Sequence, residues 1–154
     1  METMRNLLML AAIPAAVAPL AAEAAPVQLA STVFVERFVP GPGGSTSRVL
    51  ERASSLRKGD QVVFVVNWRG SAAREFTVTN PMPRTVSFQK SSDGREEVSI
   101  DGGRSWGRLE DLRVRDGSRW RQATPEDVTH VRWHVPTPVA ARGEGQILYR
   151  GVVR

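Results

Sequence analysis

The chain has 154 residues, the usual size of one domain with a single hydrophobic core. Hydrophobic residues make up 41% and charged residues 24%, which excludes a disordered polymer and is typical of a globular protein. Cysteine is absent, so disulfide bonds, cysteine-type zinc sites and a thiol nucleophile are excluded. The formal net charge of +5 favours anionic partners without specifying them.

The first 24 residues have the pattern of a secretory signal peptide. Arg5 precedes a stretch without charge over positions 7–20, and Ala22-Glu23-Ala24 supplies small residues where a signal peptidase reads the chain. The apolar stretch is too short and too weakly hydrophobic for a membrane span. We predict cleavage after Ala24, with an uncleaved anchor as the alternative. The mature domain, residues 25–154, is then expected in the periplasm, outside the cell or on its surface, with no membrane span.

Beyond this segment the apolar residues recur with a period near two, and β-branched and aromatic residues dominate, which is typical of strands. The most apolar run, residues 61–68, predicts a central strand. Further strands are predicted at residues 32–39, 47–51, 75–80, 85–88, 97–100, 127–135 and 146–153. Residues 108–125 are predicted to be irregular and arginine-rich, with one short strand at most, over 112–114. Seven to nine strands at this spacing predict an all-β, antiparallel β-sandwich whose interior holds Phe64 and Trp133.

A series of motifs over residues 58–154 carries a family resemblance. Lys58-Gly59-Asp60 precedes the valine-rich strand that ends at Val66-Asn67-Trp68, and Phe76-Thr77-Val78-Thr79-Asn80-Pro81-Met82-Pro83 follows it. Val131-Arg132-Trp133 and the run Gly143-Glu144-Gly145-Gln146-Ile147-Leu148-Tyr149 come later. This order resembles one module of the bacterial surface-repeat family called domain of unknown function eleven. The resemblance implies an immunoglobulin-like sandwich on an exported or cell-surface protein, and it brings no catalytic residues.

Residues 99–106 fit the S-x-D-x-G-x-x-W pattern of an Asp-box, which is familiar from sialidases. In such turns a short aspartate accepts hydrogen bonds from turn amides, a glycine supplies the positive φ, and the tryptophan packs over the hairpin. We interpret Asp101, Gly103 and Trp106 as a structural turn. Glycosidase activity is the alternative interpretation.

The densest basic and aromatic stretch lies between residues 104 and 121. Arginine beside tryptophan suits the recognition of sugars or phosphates by stacking and forked hydrogen bonds. The candidate ligand contacts are Trp106, Arg108, Arg119, Trp120 and Arg121. The alternative is a charged loop whose tryptophans cap the sandwich.

The sequence predicts no metal site and no cofactor. His130 and His134 share a strand face with Arg132 between them, and this cation would repel a metal ion. The aspartates of the arginine-rich stretch lack the regular acidic spacing of calcium loops. No nucleophile motif accompanies the histidines, so no enzyme is predicted.

We therefore expect an exported, non-enzymatic interaction or structural module whose partner is a protein or a component of the cell envelope. A module that binds carbohydrate or an anionic polymer through residues 104–121 is the second hypothesis. A hydrolase with a pocket near His130 or Asp101 is the third. Nucleic acid is not an expected partner, because the arginines are scattered without a lysine-rich run or a basic helix.

Overall fold

The computed structural model describes residues 27–70 and 74–154, so the predicted signal segment lies outside the described residues. Ten strands are formed within these ranges: β1 (Gln28–Pro40), β2 (Thr46–Arg52), β3 (Gln61–Arg69), β4 (Phe76–Pro81), β5 (Val86–Ser91), β6 (Glu97–Ser99), β7 (Arg113–Asp116), β8 (Arg119–Gln122), β9 (His130–Val135) and β10 (Glu144–Val153). The one α-helix there, Thr137–Ala140, is a single turn. No helix in these ranges has the length and apolar character needed to cross a membrane.

Two antiparallel sheets enclose one core, which confirms the predicted all-β sandwich. The larger sheet has the order β2-β1-β3-β10-β5, and the smaller has the order β4-β9-β6. The chain crosses between them after β3, β4, β5 and β9. β7 and β8 form a separate two-stranded hairpin where the sequence predicts an irregular segment, and this raises the strand count above the predicted seven to nine.

The core follows the two-residue alternation of the sequence. From β3, four side chains are at most 4% exposed and belong to the central hydrophobic cluster: Val62, Phe64, Val66 and Trp68. From β9, three side chains meet them from the smaller sheet: Val131, Trp133 and Val135. Val63 and Val65, on the outer face of β3, are buried as well, beside Phe34 of β1 and Leu148 of β10.

Tyr149 connects the two sheets at the centre of the core. Its ring stacks on Phe64 of the same sheet at 4.5 Å between centroids, and it lies 5.1 Å from the ring of Trp133 in the other sheet. The side-chain amide of Asn80, from β4, donates a hydrogen bond to the tyrosine hydroxyl. A second bond between the sheets runs from Trp133 Nε1 to Ser91 Oγ over 3.1 Å. The buried polar atoms of these aromatic side chains are thereby paired, as burial requires.

Pro81 ends β4 at a place where a proline is tolerated. β4 is an edge strand of the smaller sheet, so the missing N–H leaves no gap in a central ladder. Met82 follows and is buried, with its amide donating to the carbonyl of Thr129 over 2.8 Å. The turn after β4 is thus fastened to the chain just before β9.

The ionisation of Tyr149 tests this core. Burial raises the pKa of Tyr149 to about 12, against a smaller lowering by the hydrogen bond from Asn80. Because Tyr149 is the only tyrosine of the chain, tyrosinate absorbance reports this residue alone. We expect titration near pH 12 in the folded protein and near pH ~10 in urea. Because the folded pKa is the higher one, this contribution to stability is complete below pH ~10 and is lost as the pH rises through the folded pKa.

The variant Tyr149→Phe is the control, since it should remove both the absorbance change and this part of the alkaline loss of stability. Titration of the folded wild-type protein at the ordinary tyrosine pKa would show that the hydroxyl meets water. That result would contradict the packing described for Tyr149.

Candidate functional site

The Asp-box-like turn follows β6 and is held together by Asp101. Its carboxylate accepts hydrogen bonds from the backbone amides of Arg104 and Ser105 at 3.0 and 2.9 Å. The hydroxyls of Ser105 and Ser99 donate to it at 2.6 and 2.8 Å. These bonds, led by the one from the Ser105 hydroxyl, hold the pKa of Asp101 far below its usual range. The carboxylate is therefore ionised, and its oxygens accept hydrogen bonds from residues of the turn. It carries no proton to donate and so is unsuited to act as a general acid.

The side chain of Trp106 contacts other residues of the chain, among them Gly103 and Arg132. Gly103, at φ +89°, turns the backbone so that its carbonyl accepts a bond from the indole Nε1 over 3.0 Å. The guanidinium of Arg132 lies 4.5 Å from the centre of the indole ring, and Arg132 Nε also binds Glu97 at 2.7 Å. Both the N–H and a ring face of Trp106 are thus occupied by intramolecular partners.

The β7–β8 hairpin is set up by a two-residue turn. Gly117 occupies the first loop position with φ +60°, the arrangement of a type II′ turn, which matches the twist of paired strands. At the base of the hairpin the amide of Ala123 donates to the carbonyl of Leu112 over 2.9 Å. Leu112 packs against the core, and Ala123 is buried. The hairpin therefore projects from an anchored base.

One side of this hairpin presents Trp120 beside two arginines. Arg115 is directly opposite Trp120 in the register, and Arg113 is its diagonal neighbour, so all three side chains share a face. The Trp120 side chain is 64% exposed, and both arginines are exposed. In the described part of the chain no carboxylate lies within salt-bridge distance of Arg113 or Arg115. We call these three residues the Trp120 face.

The other side of the hairpin ties it to the body of the protein. Arg121 donates two hydrogen bonds, at 2.6 and 2.7 Å, to the two carboxylate oxygens of Asp127. This pairing raises the pKa of Arg121 and holds the pKa of Asp127 far below its usual range. Asp127 also accepts bonds from the amide and the hydroxyl of Thr124. Arg119 lies on this same side, opposite Asp116, and is exposed.

The structure places the five predicted contact residues in different surroundings. Trp120 lies on the Trp120 face, whereas Arg119 lies on the opposite side of the hairpin and Arg121 binds Asp127. Arg108 is paired with Glu110, and this hydrogen bond raises the pKa of Arg108. Trp106 belongs to the Asp-box-like turn.

The structure groups Trp120 with Arg113 and Arg115, which sequence reasoning misses. The signal that identifies them is the turn Gly117-Ser118, because it sets Arg115 and Trp120 two residues away on either side. Such a glycine-containing two-residue turn indicates a hairpin even when neither strand has a continuous apolar face.

The two histidines have ordinary surface partners. His134 Nε2 lies 3.4 Å from the carboxylate of Glu75, and His134 Nδ1 lies 3.3 Å from the hydroxyl of Thr77. His130 Nδ1 lies 3.2 Å from the hydroxyl of Thr129. Across residues 27–70 and 74–154, no group of three His, Asp or Glu side chains is placed to hold a metal ion.

Two open clefts lie elsewhere on the sandwich. The larger, about 730 Å³, lies at one end of the larger sheet and is lined by Gln28, Trp68 and Gln146 among others. The second, about 410 Å³, is lined mainly by apolar side chains, including Val33 and Leu56. Neither cleft is lined by His130 or Asp101, where the hydrolase hypothesis expects a pocket.

No family model matches the chain, and no curated protein or solved structure matches it significantly. The resemblance to the surface-repeat family therefore stays a prediction that depends on the motifs alone. Among the features described, the Trp120 face combines an exposed indole with two exposed arginines that have no carboxylate partner in the described ranges.

The Asp-box-like turn yields a prediction for the variant Asp101→Asn. Without the carboxylate, the amides of Arg104 and Ser105 lose a charged acceptor, so we expect their hydrogen exchange to become faster. Because the pKa of Asp101 is lowered by folding, its contribution is present above pH ~4 and is lost as the pH falls towards the folded pKa. The variant should lack this acid-dependent loss.

Asp111→Asn is the matched control, since Asp111 is an exposed aspartate in the adjoining segment. Exchange at Arg104 and Ser105 should be unchanged in this control. Equal exchange in wild type and Asp101→Asn would mean that the carboxylate does not hold the turn.

Proposed function

We propose that this protein is an exported, non-enzymatic binding module whose Trp120 face contacts an anionic polysaccharide of the cell envelope. The observation that carries the proposal is the grouping, on one side of an anchored hairpin, of an exposed indole with two guanidinium groups that have no carboxylate partner among the described residues. Arg115 Nε also donates to the carbonyl of Gly117 over 3.2 Å. This proposal takes up the second hypothesis from the sequence, the module that binds carbohydrate or an anionic polymer through residues 104–121.

The chemistry of the Trp120 face suits a charged sugar. The flat, apolar ring of Trp120 offers a surface on which the C–H face of a sugar ring can stack, while its exposure leaves room for the ligand. Guanidinium groups form forked hydrogen bonds with carboxylates and phosphates, the acidic groups that anionic polysaccharides carry. Arg115 lies directly opposite Trp120 on the neighbouring strand and Arg113 lies diagonally from it, so stacking and ion pairing can occur on the same sugar unit.

Charge beyond the hairpin supports an anionic ligand. The chain has a formal net charge of +5, which raises the encounter rate with polyanions. Arg121 and Arg132 are neutralised by intramolecular carboxylates, whereas Arg113 and Arg115 have no carboxylate partner among the described residues. The two arginines of the Trp120 face therefore remain available to an anionic ligand. A module that contacts only protein partners is the remaining candidate, and the binding experiment separates the two.

Binding is to be measured by titrating the purified protein with lipopolysaccharide, teichoic acid and a neutral dextran. We expect the two polyanions to bind and dextran not to bind. Trp120→Ala and Arg115→Gln should each weaken binding about tenfold, the size expected for a lost stacking contact or a charge-assisted bond of about 1.4 kcal/mol. Added salt should weaken wild-type binding as well.

Arg119→Gln is the matched control, because it removes the same charge from the opposite side of the same hairpin. Its affinity should stay within about twofold of wild type, since only long-range attraction changes. Equal losses for Arg115→Gln and Arg119→Gln would indicate unspecific charge attraction. The absence of binding to every polyanion would favour the protein-partner candidate.

Export is tested separately, at the amino terminus. The signal pattern predicts that Ala25 is the first residue of the protein recovered from the periplasm or the medium. Intact-mass spectrometry of that material gives the answer directly. Recovery of the uncleaved chain in the membrane fraction would instead support the anchor alternative.

A further inference from the structure

The β1–β2 hairpin extends beyond the body of the larger sheet. β1 pairs with β3 from Gln28 to Val35, whereas its pairing with β2 continues to Pro40. All seven residues of β2 are exposed, and in the described ranges no strand lies along its outer side. That side is therefore a free strand edge, the kind of surface to which another strand can be added.

The register shows which backbone groups this edge presents. The amide of Ala53 donates to the carbonyl of Val33 over 3.0 Å, so Ala53 belongs to a hydrogen-bonded pair with β1. Hydrogen-bonded and non-hydrogen-bonded pairs alternate along antiparallel strands. The N–H and C=O groups of Thr46, Arg48, Leu50 and Arg52 therefore point away from β1, towards the free side.

Apolar side chains are exposed on both faces of the hairpin. Phe38 and Leu50 lie on one face and are 65% and 45% exposed. Val39 and Val49 lie on the other face and are 39% and 38% exposed. A free edge with apolar groups on both sides has the composition of an interface.

We propose that the outer edge of β2 pairs with the β2 edge of a second copy of this chain, in an antiparallel register centred on Val49. In this arrangement Val49 faces the partner's Val49, in a non-hydrogen-bonded pair where side chains approach closely. The neighbouring pairs are Arg48 with the partner's Leu50, Ser47 with the partner's Glu51, and Thr46 with the partner's Arg52. No two like charges are opposite one another, and the inference does not depend on the Trp120 face.

Charge excludes the adjacent symmetric registers. A register centred on Arg48 would set this arginine opposite its own copy, and one centred on Leu50 would set Arg48 opposite the partner's Arg52. Like charges directly opposite destabilise an antiparallel pair. The register centred on Val49 therefore remains, and because the same edge is used by both copies, the assembly closes as a dimer.

The test measures the mass of the assembly in solution. It uses purified protein whose amino terminus is the one that results from processing in the producing cell. Sedimentation equilibrium from low micromolar to near-millimolar concentration should show the wild-type mass rising to twice that of the monomer. Val49→Lys sets two lysines face to face at the dimer axis, so this variant should remain monomeric. Val39→Lys adds the same charge to an equally exposed valine of β1, away from the free edge, and should still dimerise.

A charge-swap experiment identifies the register. Val49→Glu alone should also be monomeric, whereas an equimolar mixture with Val49→Lys should form mixed dimers that native mass spectrometry resolves. Formation of mixed dimers also shows that both variants are folded. A wild-type protein that stays monomeric throughout would overturn the proposal, as would equal dissociation of the Val39→Lys and Val49→Lys variants or a mixture without mixed dimers.

Discussion

The sandwich depends on the meeting of three aromatic rings between its sheets. Tyr149 stacks on Phe64 within the larger sheet and reaches Trp133 in the smaller one, while its hydroxyl accepts a bond from Asn80. Aromatic pairs of this kind contribute roughly 0.5–1.5 kcal/mol beyond the burial of their area. Because cysteine is absent, no disulfide joins the sheets, and their faces are held together by such packing and by neutral hydrogen bonds.

The surface elements are organised by charge and backbone bonds, in contrast to this apolar centre. The carboxylate of Asp101 accepts hydrogen bonds from backbone amides of its turn, and that of Asp127 binds Arg121 and so fixes the β7–β8 hairpin. Each carboxylate is ionised at neutral pH because several donors surround it, and the pKa of each is far below its usual range. Both carboxylates, that of Asp101 in the Asp-box-like turn and that of Asp127 beside the hairpin, thus have structural partners.

The core could be predicted from the sequence because alternation alone decides which side chains of β3 and β9 face inwards. Periodicity could not reveal the β7–β8 hairpin, because its outward tryptophan and its arginines give no apolar face, and only the turn Gly117-Ser118 signals it. The bond between Arg121 and Asp127 depends on how the hairpin folds back, which spacing does not encode. β1 begins at Gln28, earlier than predicted, because β3 supplies backbone partners to residues whose side chains remain exposed.

The anchoring of the hairpin has an evolutionary consequence. Its base and its Arg121 side are fixed to the body, whereas the side chains of Trp120 and Arg113 are exposed and that of Arg115 donates only to the carbonyl of Gly117 in the turn. Exposed positions of this kind usually change stability by no more than about 0.5 kcal/mol when substituted. Selection can therefore replace the residues of this surface with little effect on folding, so that related chains could keep one scaffold and differ in the chemistry of this face.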